Sequence, residues 1–468
     1  MVATSSSISD SRSAVLPTAD PRGHQVAFAI LVAAIYIVAA HLTPHLRPSF
    51  QIASAVVLLL TPSLVTRAPV AHPVHCCLPF LLLHTISYPL ATYFGGTFDE
   101  FIAATIRVKL IFAGGLLLGF FALVGPRRLP SRPTFAFSGE LKTAALILML
   151  ACQAAGLAGL IYAGRSGAVS KRDFIDNYQS APVAIMNFAL TAVPIFCIAY
   201  ELLRAKSLNR PARLVSWPIC SSAFVMLVGY ALIGERDVLF RFCLFLALLL
   251  FDGRWFYRRI YAIVLILTLL IAAPASQYFK AVLISSGDPR GANVGDDYRD
   301  GSKFFMQEFA ASSRNLSLLK LYDQRIGVGQ VAQDVGRSFY VPGTRSASAW
   351  FHHVFRPRFN LEGTSGWGFT LCGEIVTIFG IVGLVVFGAL YGGWISWLYD
   401  RRSDSLWFYL LFISNVYAFT YSQRGDLTTL LAFTLKVPLF QMAMLWATAG
   451  ILKVRVASPR RRAVGISS

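Results

Sequence analysis

Residues 183–203, VAIMNFALTAVPIFCIAYELL, run directly into Arg204, Lys206, Arg210 and Arg213. At 1.5 Å rise per residue an apolar run of this length is about 30 Å long, the thickness of bilayer hydrocarbon. A basic cluster immediately behind such a run marks a loop retained on the cytoplasmic side. The same unit recurs in both directions along the chain. Apolar blocks lie near 25–42, 50–66, 74–94, 103–124, 141–163, 183–203, 216–233, 236–252, 260–278, 373–398, 406–421 and 428–452. The expectation is an all-α polytopic membrane protein with about twelve transmembrane helices.

The loops between these blocks alternate in charge. One set holds Arg67; Arg127, Arg128 and Arg132; the cluster after 203; Arg254, Arg258 and Arg259; and Arg401 with Arg402. The other set holds Arg47, the Asp99–Glu100 pair, a mixed segment over 164–182, and the turns Gly234–Asp237 and Arg424–Asp426. Placing the first set inside predicts a multi-pass inner (plasma) membrane protein with both termini cytoplasmic. Residues 1–24 then form a polar N-terminal tail and 453–468 a basic C-terminal tail. Composition agrees: the 468 residues are 56% hydrophobic and 14% charged, with mean hydropathy +0.59. The net charge of +19 reads as topology and attraction to anionic lipid, not as a nucleic-acid surface, since no basic face with interleaved aromatics occurs. All seven cysteines lie in or beside apolar blocks, so neither a disulfide framework nor a metal site is expected.

Between the first nine spans (25–278) and the last three (368–452) lies one long hydrophilic segment, 279–367, which the alternation places outside, as a large, partly helical periplasmic loop. Loops of that length are functional or disordered. Phe304, Phe305, Phe309, Leu316, Leu318, Leu319 and Leu321 at helical spacing, with Trp350, Phe351, Phe355 and Phe359, favour folding, as short helices on or dipping into the outer leaflet.

Arginines on the outer side oppose the insertion rule, and those that persist there invite a functional reading. Arg236 and Arg424 sit in tight turns at helix ends, where a planar guanidinium suits a phosphate or diphosphate; the plain alternative is an interfacial arginine paired with its neighbours. Arg356 and Arg358 follow His352 and His353 in an aromatic stretch, and Arg172, Arg314 and Arg345 complete the set of candidate substrate-binding arginines. Glu374 falls in the first turn of an apolar helix. It is either an acid favoured by the helix dipole or a structural or catalytic partner of an outer arginine. His352 and His353 titrate near neutrality and are candidate proton acceptors. No phosphate-binding loop, nucleophile elbow or soluble nucleotide domain is visible, so a substrate on the outer side must arrive already activated, and no cofactor is expected.

The segment from Gly366-Trp367-Gly368-Phe369 through Glu374 to Phe379-Gly380 and Gly383 resembles the glycine-rich stretch of Wzy-type O-antigen and exopolysaccharide repeat-unit polymerases. Gly234-Glu235-Arg236 resembles that family's small-x-Arg element, and Gln423-Arg424-Gly425-Asp426 its C-terminal Arg-Gly-Asp element. The likeness covers about 216–430; the first 200 residues match in hydropathy alone. It implies a GT-C-like helical enzyme with a periplasmic active site. Such an enzyme transfers a growing glycan from one undecaprenyl diphosphate carrier to the non-reducing end of another lipid-linked unit, inverting the anomeric centre without a metal. The partners implied are the lipid-linked donor and acceptor, membrane lipid and a chain-length regulator. An O-antigen ligase acting on lipid A core, a lipid-linked oligosaccharide transporter and an outer-leaflet acyltransferase stay open as alternatives.

Overall fold

A computed structural model describes residues 21–66, 71–123, 139–165, 181–208, 216–233, 236–251, 301–339, 341–359 and 369–457. All regular structure among these residues is helical. The first six helices are α1 (Pro21–Leu42), α2 (Pro48–Val65), α3 (Pro73–Phe94), α4 (Glu100–Leu123), α5 (Gly139–Arg165) and α6 (Ala181–Ser207). Then come α7 (Trp217–Ile233), α8 (Arg236–Phe251), α9 (Gly301–Leu321), α10 (Gly329–Ser338) and α11 (Ala347–Phe359). The chain closes with α12 (Leu371–Arg401), α13 (Leu406–Ser422), the short α14 (Leu427–Leu431), a π-helical turn Ala432–Lys436, and α15 (Val437–Ala457). Local chemistry explains the starts. Proline occupies the first turn of α2 and α3, the Ser405 hydroxyl caps α13 through Phe408 N, and Asp426 caps α14.

Eight helical segments among the described residues are long and apolar enough to cross a membrane: the six through α6, then α12, and Leu427–Lys453. The chain is therefore an all-α polytopic membrane protein. Three further expected blocks form helices of 17, 16 and 17 residues, α7, α8 and α13. Block 260–278 lies outside the described residues, as do the N-terminal tail to residue 20 and the C-terminal tail beyond 457.

Helix ends that the charge alternation assigns to one side meet in space. Asp237 at the start of α8 accepts the Tyr421 hydroxyl at the end of α13, and Glu374 at the start of α12 bonds Leu427 at the start of α14. At the other end, the His72 ring before α3 lies 5.0 Å from Tyr399 near the end of α12. There Arg402 donates to the Tyr399 carbonyl at 2.7 Å and Arg401 stacks on Trp397.

The tightest packing joins α4 and α12, which run in the same direction. A Cβ on Gly115 would fall 2.5 Å from the Val385 carbonyl oxygen, and one on Gly392 would fall 2.5 Å from that of Leu116. Gly119 and Gly388 are equally closed by partner backbone. This is the small-residue crossing by which membrane helices maximise van der Waals contact. Above the crossing, Gly380 has φ 69° and ψ −164°, a conformation open essentially to glycine alone, and it breaks α12 in two.

The expected outer loop contributes three helices. At 21 residues, α9 is longer than the short helices expected, and it is wedged among the spans against α3 and α4. Ser312, Ser313 and Asn315 are fully buried there, and Ser313 donates to the His84 carbonyl of α3 at 2.6 Å. Lys109 of α4, also fully buried, donates to Ser312 Oγ at 2.5 Å. Helix α11 packs on the end of α9 through a small second core of Leu319, Ile326, Ala347, Phe351, Phe355 and Phe369, while Val331 of α10 packs on the main core.

Candidate functional site

The starts of α11, α12 and α14 converge with α10, held by three buried carboxylates, and the start of α8 joins the same end through Asp237 and Tyr421. Glu374, fully buried in the first turn of α12, accepts Leu427 N at 2.8 Å through Oε2. Asp426 accepts Thr429 N at 2.8 Å through one oxygen and Ser348 N at 3.0 Å through the other. Asp334 of α10 accepts Ala347 N at 2.9 Å and the Thr428 hydroxyl at 2.6 Å, and its second oxygen accepts Gln330 Nε2 at 3.2 Å. Each carboxylate thus takes backbone donors at a helix start, where unsatisfied N–H groups and the macrodipole favour negative charge.

Glu374 Oε1 differs from the other oxygens. It is buried with no hydrogen-bond donor among the described residues. Its carboxyl neighbour is Asp334, with Asp426 also in electrostatic range. Like charges in electrostatic range repel, so Glu374 and Asp334 form a coupled pair of carboxyl groups between two helices.

The basic side of the same end is made by Arg314 and Arg424. Both are half-buried, and their guanidinium groups lie within electrostatic reach of each other. Burial pushes the Arg314 guanidinium below its ordinary range, Tyr88 of α3 opposes that, and Arg424 adds to it. Arg424 also acts on Tyr421, whose hydroxyl donates to Asp237 Oδ2 at 2.9 Å. Arg236 is the first residue of α8, next to Asp237; its side chain lies outside the described residues.

Of the residues singled out in the sequence, Glu374, Arg424, Arg314 and the helix start bearing Arg236 therefore share one end of the bundle. Arg345 is exposed in the turn before α11, where its carbonyl accepts from Gln330, the amide that also binds Asp334. His352 is half-buried and His353 exposed on α11. Arg356 and Arg358 belong to the last turns of α11, and their side chains lie outside the described residues, as does all of Arg172. No group of three His, Cys, Asp or Glu among the described residues is placed to hold a metal.

Three charged residues escaped the sequence reading. Asp334 sits on a polar helix with no spacing to mark it. Lys109 and Arg241 carried a usable signal, a charge inside an apolar block, which averaging over the blocks concealed. No family model matches the chain, and neither a curated protein nor a solved structure matches it.

Proposed function

We propose that this chain polymerises lipid-linked oligosaccharide repeat units, transferring a growing glycan from one polyprenyl diphosphate carrier to another, and that about twelve spans set the carboxylate end on the periplasmic face of the inner membrane. The observation that carries this reading is the meeting of Arg314, Arg424 and the Arg236 helix start with buried Glu374, from four distant segments, at one end of an apolar bundle. Two guanidinium groups held close repel, and a diphosphate between them offsets that repulsion while gaining charge-assisted bonds. In the reaction the acceptor hydroxyl oxygen bonds to the anomeric carbon. The carbon–oxygen bond to the diphosphate breaks, and the leaving group takes the electron pair, stabilised by the arginines. The hydroxyl proton passes to the Glu374–Asp334 pair, with half-buried His352 and exposed His353 of α11 as the histidine alternatives. Prenyl chains lie between helices, which accounts for a site formed at helix ends.

The envelope polysaccharide of a deletion strain tests the reading. A polymerase mutant yields single capped repeat units. Complete absence of capped glycan would assign the chain as a ligase, and cytoplasmic accumulation of lipid-linked units would make it a transporter.

A further inference from the structure

Arg241 lies five residues into α8, about 7 Å along the axis from Arg236, and its side chain is 1% exposed. Its guanidinium carbon is 5.3 Å from the Phe245 ring centre, 5.1 Å from that of Tyr417 and 5.6 Å from that of Phe433. Rings from α8, α13 and the π-helical turn thus surround one cation. Desolvated cation–π contacts are favourable, yet they supply no acceptor for an N–H group. Nε, Nη1 and Nη2 have no hydrogen-bond partner among the described residues. Asp237, one turn earlier, is spaced for an i,i+4 pair, but it accepts the Tyr421 hydroxyl instead. A buried charge without an acceptor is strongly unfavourable. The wall contributed by Phe433 is itself irregular. The π turn 432–436 is pinned where Asn415 Nδ2 donates to the Thr434 carbonyl at 3.3 Å, and π turns inside helices cluster at functional sites.

We infer that Arg241 is an anion station for a phosphate group carried on a membrane lipid, with Phe245, Tyr417 and Phe433 receiving the first carbons of the lipid chain. A guanidinium fork pairs bidentately with phosphate oxygens. Among the described residues three aromatic rings collar it, which favours a phosphate ester with a hydrocarbon tail over a free ion. The inference concerns binding alone, so it stands or falls separately from the polymerase reading.

The test uses the full-length protein in phosphatidylcholine nanodiscs, titrated separately with farnesyl phosphate, phosphatidylglycerol and inorganic phosphate, with bound lipid read by native mass spectrometry. Farnesyl phosphate should bind the wild type, at least tenfold more weakly to Arg241→Gln, and with intermediate strength to Arg241→Lys. The same pattern with phosphatidylglycerol in place of farnesyl phosphate supports the station and identifies bulk lipid as its source. Equal binding of both lipids to wild type and variants overturns it, as does a response to inorganic phosphate alone. Should the variants fail to fold, a benzophenone-bearing farnesyl phosphate keeps the question open to experiment on the wild type. Crosslinks within 236–251 and 427–437 support the station, and crosslinks confined to other segments overturn it.

Discussion

The α4–α12 crossing and the carboxylate end hold the same helix in opposite ways. At the crossing, Gly115, Gly119, Gly388 and Gly392 remove side chains so that backbones touch, and cohesion comes from dispersion summed over many contacts. A few residues up α12, cohesion comes from Glu374, Asp334 and Asp426, each answering helix-start N–H groups contributed by another segment. The first arrangement tolerates no added atom. The second depends on individual atoms being of the right kind. Damage to the crossing should therefore remove protein and activity together, while changes at the polar end should separate them.

The largest effect is expected from Gly119→Leu, which forces a side chain into the backbone of 389–393. Overpacking costs about 1–3 kcal/mol where neighbours can shift and more where, as here, they are backbone. Monodisperse protein should be absent by fluorescence-detected chromatography; normal yield would show that the helices part easily. Next comes Glu374→Gln. The amide oxygen still accepts Leu427 N and the amide nitrogen can donate to Asp334, so yield should stay near wild type. Loss of the proton acceptor should cut polymer formation by roughly 10²–10⁴. If yield collapses instead, Glu374 acts only through folding.

Arg424→Lys keeps the charge and loses the fork. One charge-assisted bond made in the transition state is worth roughly 3 kcal/mol, or about a hundredfold in rate, which a polymer-length ladder on a gel would register; Arg236→Lys should match it. Wild-type ladders from both variants would remove them from the site. Asp426→Ala deletes a helix cap and the acceptor of Ser348 N, and it should lower thermal stability by about 1–3 kcal/mol, with a smaller effect on yield than Gly119→Leu. Arg345→Ala bounds the series. Its side chain is exposed, so stability should move by less than about 0.5 kcal/mol; a large loss of polymer there would extend the site beyond the buried end.

Hydropathy carried most of the architecture. Block positions match the described helices, because a bilayer demands length and apolarity that no folding detail can disguise. The pairing of α4 with α12 was also present in the chain, as glycines four apart at 115–119 and 388–392, but such spacing does not name its partner. The site was legible one residue at a time. Glu374 stands out as an acid opening an apolar helix, whereas its bond to Leu427 spans 53 residues and depends on how the spans assemble. Asp334 left no trace, since a carboxylate on a polar helix is ordinary until the helix is buried. The wedging of α9 was hidden for the same reason: Ser312, Ser313 and Asn315 are polar in sequence and buried only because α3 and α4 offer them partners.

The break at Gly380 gives α12 a mechanical character. Below it the helix is clamped to α4 over 385–393, a fixed beam with no clearance. Above it the stub from Leu371 to Phe379 carries Glu374, whose carboxylate accepts Leu427 N, and buries Leu371, Cys372, Ile375 and Val376 in the main core. The break at one glycine therefore lets the two halves of α12 take different directions, the lower one set by the fit of backbone on backbone and the upper one by its own side chains and the carboxylate at its start.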